Sequence, residues 1–257
     1  SSQSRGLGDV YKRQFLHHKE MNIKNQDQDL LQIKMNIVRS KVSFKRLKDK
    51  ELSQWQKIPT SIAGDSMNRQ NVMSSRISSI REGMTLCGQA RTVSVTHGDN
   101  SAIHAALTII NKGEILVVEG GGFTDRAVWG ELMSLSSIHI GLGGVVIDGA
   151  VRDLRDLKKM NLPLFASGRT AAGPTKGGGG KVDIPISCGN VALKPGDIII
   201  GDDDGVAVIP FEIQNQILLS SEEKIIYEKE IIKKIKDGNT HKDIFDIKDI
   251  PIVNDDD

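Results

Sequence analysis

The chain has 257 residues, 38% of them hydrophobic, and 34 Lys and Arg against 33 Asp and Glu give a formal net charge of +1. That length supports one sizeable core, and the charge balance gives no general reason to bind nucleic acid or an anionic membrane surface. No stretch has the apolar length of a membrane-spanning helix, the polar start has no apolar signal core, and the distant Cys87 and Cys188 offer no zinc or redox spacing, so a reduced cytoplasmic protein is expected.

Residues 9–14, "DVYKRQ", are what one reading frame of a transposon-adapter end encodes. Residues 1–14 are therefore expected to be a cloning or sequencing artefact, with the natural start at Met21 or Met35. Residues 1–58 form a polar extension, and over 15–58 the loosely spaced Leu30, Leu31, Ile33 and Ile37 predict a poorly packed helix. Deleting residues 1–34 is expected to leave solubility and assembly unchanged, as sedimentation of the truncated protein would show; aggregation would count against this.

A domain is expected over 59–240, with an acidic tail at 241–257. Thr60 or Ser61 could cap a first helix. "TLCGQARTVSVTH" alternates as a strand should, and "GDNSAIHAALTIINKG" follows as a helix capped by Asp99, Asn100 or Ser101 and stopped at Gly113. "EILVVEG" reads as a buried strand. The spacing of Ala127, Val128, Leu132, Leu135 and Ile138 predicts a helix through "FTDRAVWGELMSLSSIHIG". "GGVVIDG" is a strand and "RDLRDLKKM" a helix. "LPLFASG", "KVDIPISCGNVAL", "DIIIGD" and "GVAVIP" are short strands joined by turns, and a long amphipathic helix runs from about Phe211 to Lys236. The sum is a mixed α/β single domain with a long C-terminal helix.

Two turns carry candidate chemistry. In "EGGGFTD", Gly120, Gly121 and Gly122 follow a buried strand and precede the predicted helix, a geometry that offers backbone N–H groups and a helix dipole to a small anion such as a carboxylate. The spacing is neither a dinucleotide fingerprint nor a P-loop, and a tight turn needing positive φ fits equally well. Arg152 and Asp153 close the next strand. Such a pair is more often a helix-start salt bridge than a catalytic dyad, but both turns sit at the carboxyl ends of consecutive strands, where ligands gather in open α/β sheets. Arginine offers a planar fork to carboxylate or enolate oxygens, and aspartate a hard oxygen to Mg²⁺. "TKGGGGKV" at 175–182 reads as a flexible surface loop, "GDDDGV" at 201–206 as a hairpin turn, and the six histidines show no ligand spacing.

Taken together, "GDNSAIHAAL", "EGGGFTDRAVWGE", "GLGGVVIDGAVRD", "GPTKGGGG" and "ISCGNVALKPGDIIIGDDDGVAVIP" resemble the regulator-of-ribonuclease-activity-A-like family from about Thr60 to Gly238. The resemblance implies a β/β/α sandwich assembled as a homotrimer with sites between subunits. It further implies a class II aldolase that cleaves 4-hydroxy-4-methyl-2-oxoglutarate or decarboxylates oxaloacetate to give pyruvate, with Mg²⁺ or Mn²⁺ as cofactor. On this resemblance Asp153 ligates the metal and Arg152 contacts pyruvate and stabilises its enolate. The amides of Gly120, Gly121, Gly122 and Phe123 hold the carboxylate, and Glu228 of a neighbouring subunit, or else Glu230, approaches the metal through water. Phe123 stands where the aldolases commonly carry an acidic residue. The alternative that the resemblance leaves open is a non-catalytic protein that binds and inhibits a ribonuclease.

Overall fold

The computed structural model describes residues 36–248. The proposed artefact at 1–14, residues 15–35 of the expected helical extension and the last part of the acidic tail lie outside them.

Four parallel strands form the centre: β3 (Leu86–Val95), β4 (Ile115–Trp129), β5 (Gly144–Val151) and β6 (Leu164–Arg169). The short β2 (Ser78–Ser79) closes one edge against β6, and β7 (Gly180–Val182) and then β1 (Ile37–Arg39) extend the other beyond β3. β5 is buried along its whole length, which explains the apolar run of Val145, Val146 and Ile147. Side chains alternate faces along each strand. Leu116 and Val118 of β4 point toward α3 (Ser101–Leu107) and α4 (Glu131–Ile140), while Ile115 and Val117 point the other way. On that second face lie the hairpin β8 (Ile186–Cys188)–β9 (Val191–Leu193) and the hairpin β10 (Ile198–Asp202)–β11 (Gly205–Ile209), which joins the first half of β3. The Asp202–Gly205 turn of the latter is the hairpin expected from "GDDDGV".

Ile199 packs inward from β10, whereas Ile198 and Ile200 face outward. There they meet a further helical layer of α1 (Asp49–Trp55), α2 (Thr60–Ser66) and α6 (Gln214–Lys236). The fold is therefore the expected β/β/α sandwich with an added layer of helices. Trp55 is fully buried in this layer, and its indole N–H donates to Gln214 Oε1 at 3.2 Å. The described part of the extension is thus packed, unlike the loose helix expected there. Trp55→Ala is expected to cost about 3–5 kcal/mol by opening a cavity, measurable as a fall in denaturant midpoint; a loss under about 1 kcal/mol would mean that α1 only lies on the surface.

Three further expectations are corrected. Thr60 does not cap α2 but is its first residue, its backbone N–H and hydroxyl both donating to Asp202. The helix after Asp153 is a single turn, α5 (Leu154–Leu157). The chain after the triple glycine is not helical at all: β4 runs on to Trp129. Gly121 and Gly122, at φ 65° and 72°, bulge the strand instead of ending it, and Ala127 and Trp129 regain pairing with Ala150 and Val151. At the C-terminus, α7 (His241–Phe245), capped by Thr240, begins the tail.

Candidate functional site

β5 ends at Val151 and delivers Arg152 and Asp153 to the surface. Arg152 N–H donates to the Trp129 carbonyl at 3.0 Å, which fixes the exit from the sheet. Asp153 adopts left-handed backbone at φ 60°, a conformation that Asp and Asn tolerate better than most residues. Its Oδ2 accepts the Glu131 N–H at 3.0 Å, one of the amides left without an intrahelical partner at the start of α4.

The dyad is open. The Arg152 and Asp153 side chains are 43% and 39% exposed, and Arg152 Nε stands 3.7 Å from Asp153 Oδ2, beyond hydrogen-bond range. Two glycines make room for it. A Cβ on Gly130 would sit 2.5 Å from Asp153 Oδ2, and one on Gly173 would sit 2.8 Å from Arg152 Nη1. Both side chains face a cleft of about 420 Å³ whose other polar walls are Asn100 and His104 of the α3 region, Glu131 at the start of α4, and Lys176.

The triple glycine lies elsewhere. Gly120 packs on the Asp148 carbonyl, Gly121 on His97, and Gly122 beside Arg76 and the Asp148 carboxylate, while Phe123 stacks on His97 at 5.6 Å. No helix follows these glycines, so the helix dipole expected behind Gly120–Phe123 is absent, and none of them lines this cleft of the single chain. The helix that does start beside the dyad is α4, whose first turn contributes Glu131, Leu132 and Met133 to the cleft. The predicted helix contains α4 but starts too early, at Phe123, so the turn at Gly130 was missed. Its signal was Gly130-Glu131 after a buried tryptophan, a small residue followed by an acid at a helix start.

Asp148, within β5, is not part of the cleft. Its buried carboxylate accepts both Arg76 Nε and Nη2, Ser167 Oγ and the Gly189 N–H. Burial works against its charge, but these bonds, led by Arg76, hold it below the usual carboxylate range. It pins the β8–β9 turn to the sheet. A larger cleft of about 840 Å³ lies at the opposite ends of the strands, near Gly113, Gly143 and α1. Burial pushes its Cys87 thiol up to about 12, so that cleft offers no ready thiolate. Cys188 is fully buried, and burial likewise raises its thiol.

Glu228 and Glu230 lie on α6, which packs against α2; neither lines the cleft of its own chain. Among the described residues, no group of three or more His, Cys, Asp or Glu gathers as a metal cage, and no helix is long and apolar enough to cross a membrane.

Residues 59–208 match the family model described as RraA-like, Aldolase/RraA. The chain belongs to the RraA-like family. It is 37% identical over 173 residues to a Halalkalibacterium halodurans protein provisionally named a 4-hydroxy-4-methyl-2-oxoglutarate aldolase, covering 67% of this chain and 82% of that one. It is 33% identical over 123 residues to a Thermus thermophilus protein named 4-hydroxy-4-methyl-2-oxoglutarate aldolase, covering 48% of this chain and 74% of that one. Among solved structures, the Thermus RNA-processing inhibitor RraA superposes with a TM-score of 0.55 at 28% identity, over 60% of this chain and 93% of that one. The RraA-like chain thus has relatives named both as aldolases and as an inhibitor of RNA processing.

Proposed function

We propose that the protein is a lyase that breaks the C3–C4 bond of a small 2-oxo dicarboxylate, 4-hydroxy-4-methyl-2-oxoglutarate or oxaloacetate, to release pyruvate. The observation that carries this reading is the open Arg152–Asp153 dyad in a cleft floored by the first turn of a helix. A purely structural ion pair has no need of two glycines clearing space around it.

Both reactions generate the enolate of pyruvate, so the site must receive negative charge as it develops. Arg152 meets the enolate oxygen and one carboxylate oxygen with its planar fork. The first-turn amides of α4, at Leu132 and Met133, take the carboxylate in place of the glycines of β4. Glu131, which lines the cleft, would stand in for the acidic residue that Phe123 replaces and hold a proton there.

The donor set suits a hard divalent cation of the Mg²⁺ or Mn²⁺ type. Asp153 offers one carboxylate, and such ions are commonly held by one or two carboxylates together with substrate and water. When bound, the ion would supply Lewis-acid charge at the keto oxygen. Glu228, or Glu230, would complete the site from a neighbouring subunit of a homotrimer. Exposed apolar residues support such assembly: Leu132 at the cleft edge is 78% exposed, and Ile226, Tyr227, Ile232 and Ile235 line the unpacked part of α6.

The test is pyruvate release from both substrates with and without EDTA. Chelator-sensitive release is expected. Its absence, together with inhibition of a ribonuclease by the purified protein, would favour the second reading, which the likeness to the RNA-processing inhibitor supports.

A further inference from the structure

The part of the cleft wall formed by Asn100, His104 and Lys176 is built, not loose. Asp99 accepts Ser101 N–H at 2.8 Å with one oxygen and Gly178 N–H at 2.9 Å with the other. Ser101 Oγ accepts Gly177 N–H at 2.9 Å, Lys176 Nζ donates to Asn100 Oδ1 at 2.7 Å, and Thr175 N–H donates to the Gly98 carbonyl at 2.8 Å. The glycine loop expected to be flexible is stitched to the start of α3. Gly180, at φ 151°, lies where any Cβ would sit 2.4 Å from the Ser94 carbonyl, so the loop packs as closely as backbone allows.

One helical turn beyond Asn100, this wall presents His104, its backbone N–H bonded to the Asn100 carbonyl at 3.1 Å. The ring lines the cleft with Arg152 and Asp153 and has no hydrogen-bond partner among the described residues. Burial, with Lys176 beside it, pushes its pKa down to about 4 against the weaker opposing pull of Asp99. At neutral pH it is an uncharged imidazole with one donor and one acceptor nitrogen. Arg152 and Asp153 in the same cleft already supply the charges that the proposed chemistry needs. A neutral, rigidly backed ring suits a neutral polar group.

We propose that His104 is a specificity residue that hydrogen-bonds the oxygen on carbon 4 of the substrate, the hydroxyl that becomes a carbonyl when the C3–C4 bond breaks. This rests on the lyase reading and goes beyond it. Oxaloacetate carries a carboxylate at that carbon, which has no proton to donate or to lose as the bond breaks, so the acceptor nitrogen of His104 assists aldol cleavage and not decarboxylation. A hydroxyl donates to the acceptor nitrogen of a neutral imidazole, whereas a carboxylate can take only its donor nitrogen.

The experiment compares His104→Leu, His104→Ala and His104→Gln with the parent on 4-hydroxy-4-methyl-2-oxoglutarate and on oxaloacetate, with inhibition by pyruvate as a third readout. In the Leu and Ala variants kcat/KM for the aldol is expected to fall roughly ten- to a hundredfold, the size of losing a well-placed hydrogen bond. Oxaloacetate turnover and pyruvate inhibition should stay within about threefold, and Gln, which keeps a donor and an acceptor, should recover part of the loss. Equal falls on both substrates, or no fall on either, would overturn the proposal while leaving the lyase reading intact. A parent that releases pyruvate from neither substrate would overturn the lyase reading and this proposal with it.

Discussion

Arg152→Lys is expected to lower kcat for pyruvate release from oxaloacetate by roughly two to three decades, about 2–4 kcal/mol of barrier. Lysine keeps the positive charge but not the planar fork that reaches two oxygens at once. The geometry separates this from an ion-pair role. At 3.7 Å and more than a third exposed on both sides, the Arg152–Asp153 contact is a weak partnership, and exposed pairs of this kind contribute only about 0–1 kcal/mol. If that contact were all Arg152 does, lysine would keep much of it and the rate would hardly change. The loss should fall on kcat more than on KM, because the charge grows toward the transition state. The measurement is made at saturating Mg²⁺ with folding checked by circular dichroism. A folded variant within a few-fold of the parent would decide for the ion pair.

The parts of this site that were legible in sequence are those fixed by local pattern. Val145, Val146 and Ile147 are buried on both faces of a parallel strand, so their run of apolar residues marked β5 and placed Arg152 and Asp153 at its end. What failed was the stretch from Phe123 to Trp129. Ala127, Val128, Leu132 and Leu135 satisfy a helical period, yet Ala127 and Val128 belong to a strand, and Leu132 and Leu135 are exposed on a helix that begins only at Glu131. Pairing with Ala150 and Val151 decided the conformation there, and that long-range contact leaves no mark on local spacing. The misplaced helix start put the expected helix dipole behind the glycines of β4, whereas the helix that lines the cleft begins at Glu131. The same blindness hid α1, whose Trp55 is buried by β10, β11 and α6, elements far away in the chain. In the glycine loop at 175–182, composition suggested freedom, while Asp99 and Ser101, some 76 to 79 residues earlier, hold it in place.

Asp153→Asn is expected to abolish metal-dependent turnover while leaving the fold intact. Asparagine fits the left-handed backbone at φ 60° as well as aspartate does, and it keeps a carbonyl oxygen to accept the Glu131 N–H. What it loses is the charge. At the start of α4 that charge contributes about 0.3–1 kcal/mol through the helix dipole, so the midpoint of thermal unfolding should drop by only a few degrees. Asp153→Ala would be a poorer test, because it removes the acceptor and places a residue without a polar side chain at positive φ. As a ligand for a hard cation, by contrast, the anionic oxygen has no neutral substitute of equal strength. Activity should therefore vanish at limiting Mg²⁺ and return little, if at all, as Mg²⁺ is raised, while calorimetric titration of the variant with Mn²⁺ should show weakened binding. A variant with normal activity at limiting Mg²⁺ would remove Asp153 from the metal site and leave it as the cap of α4.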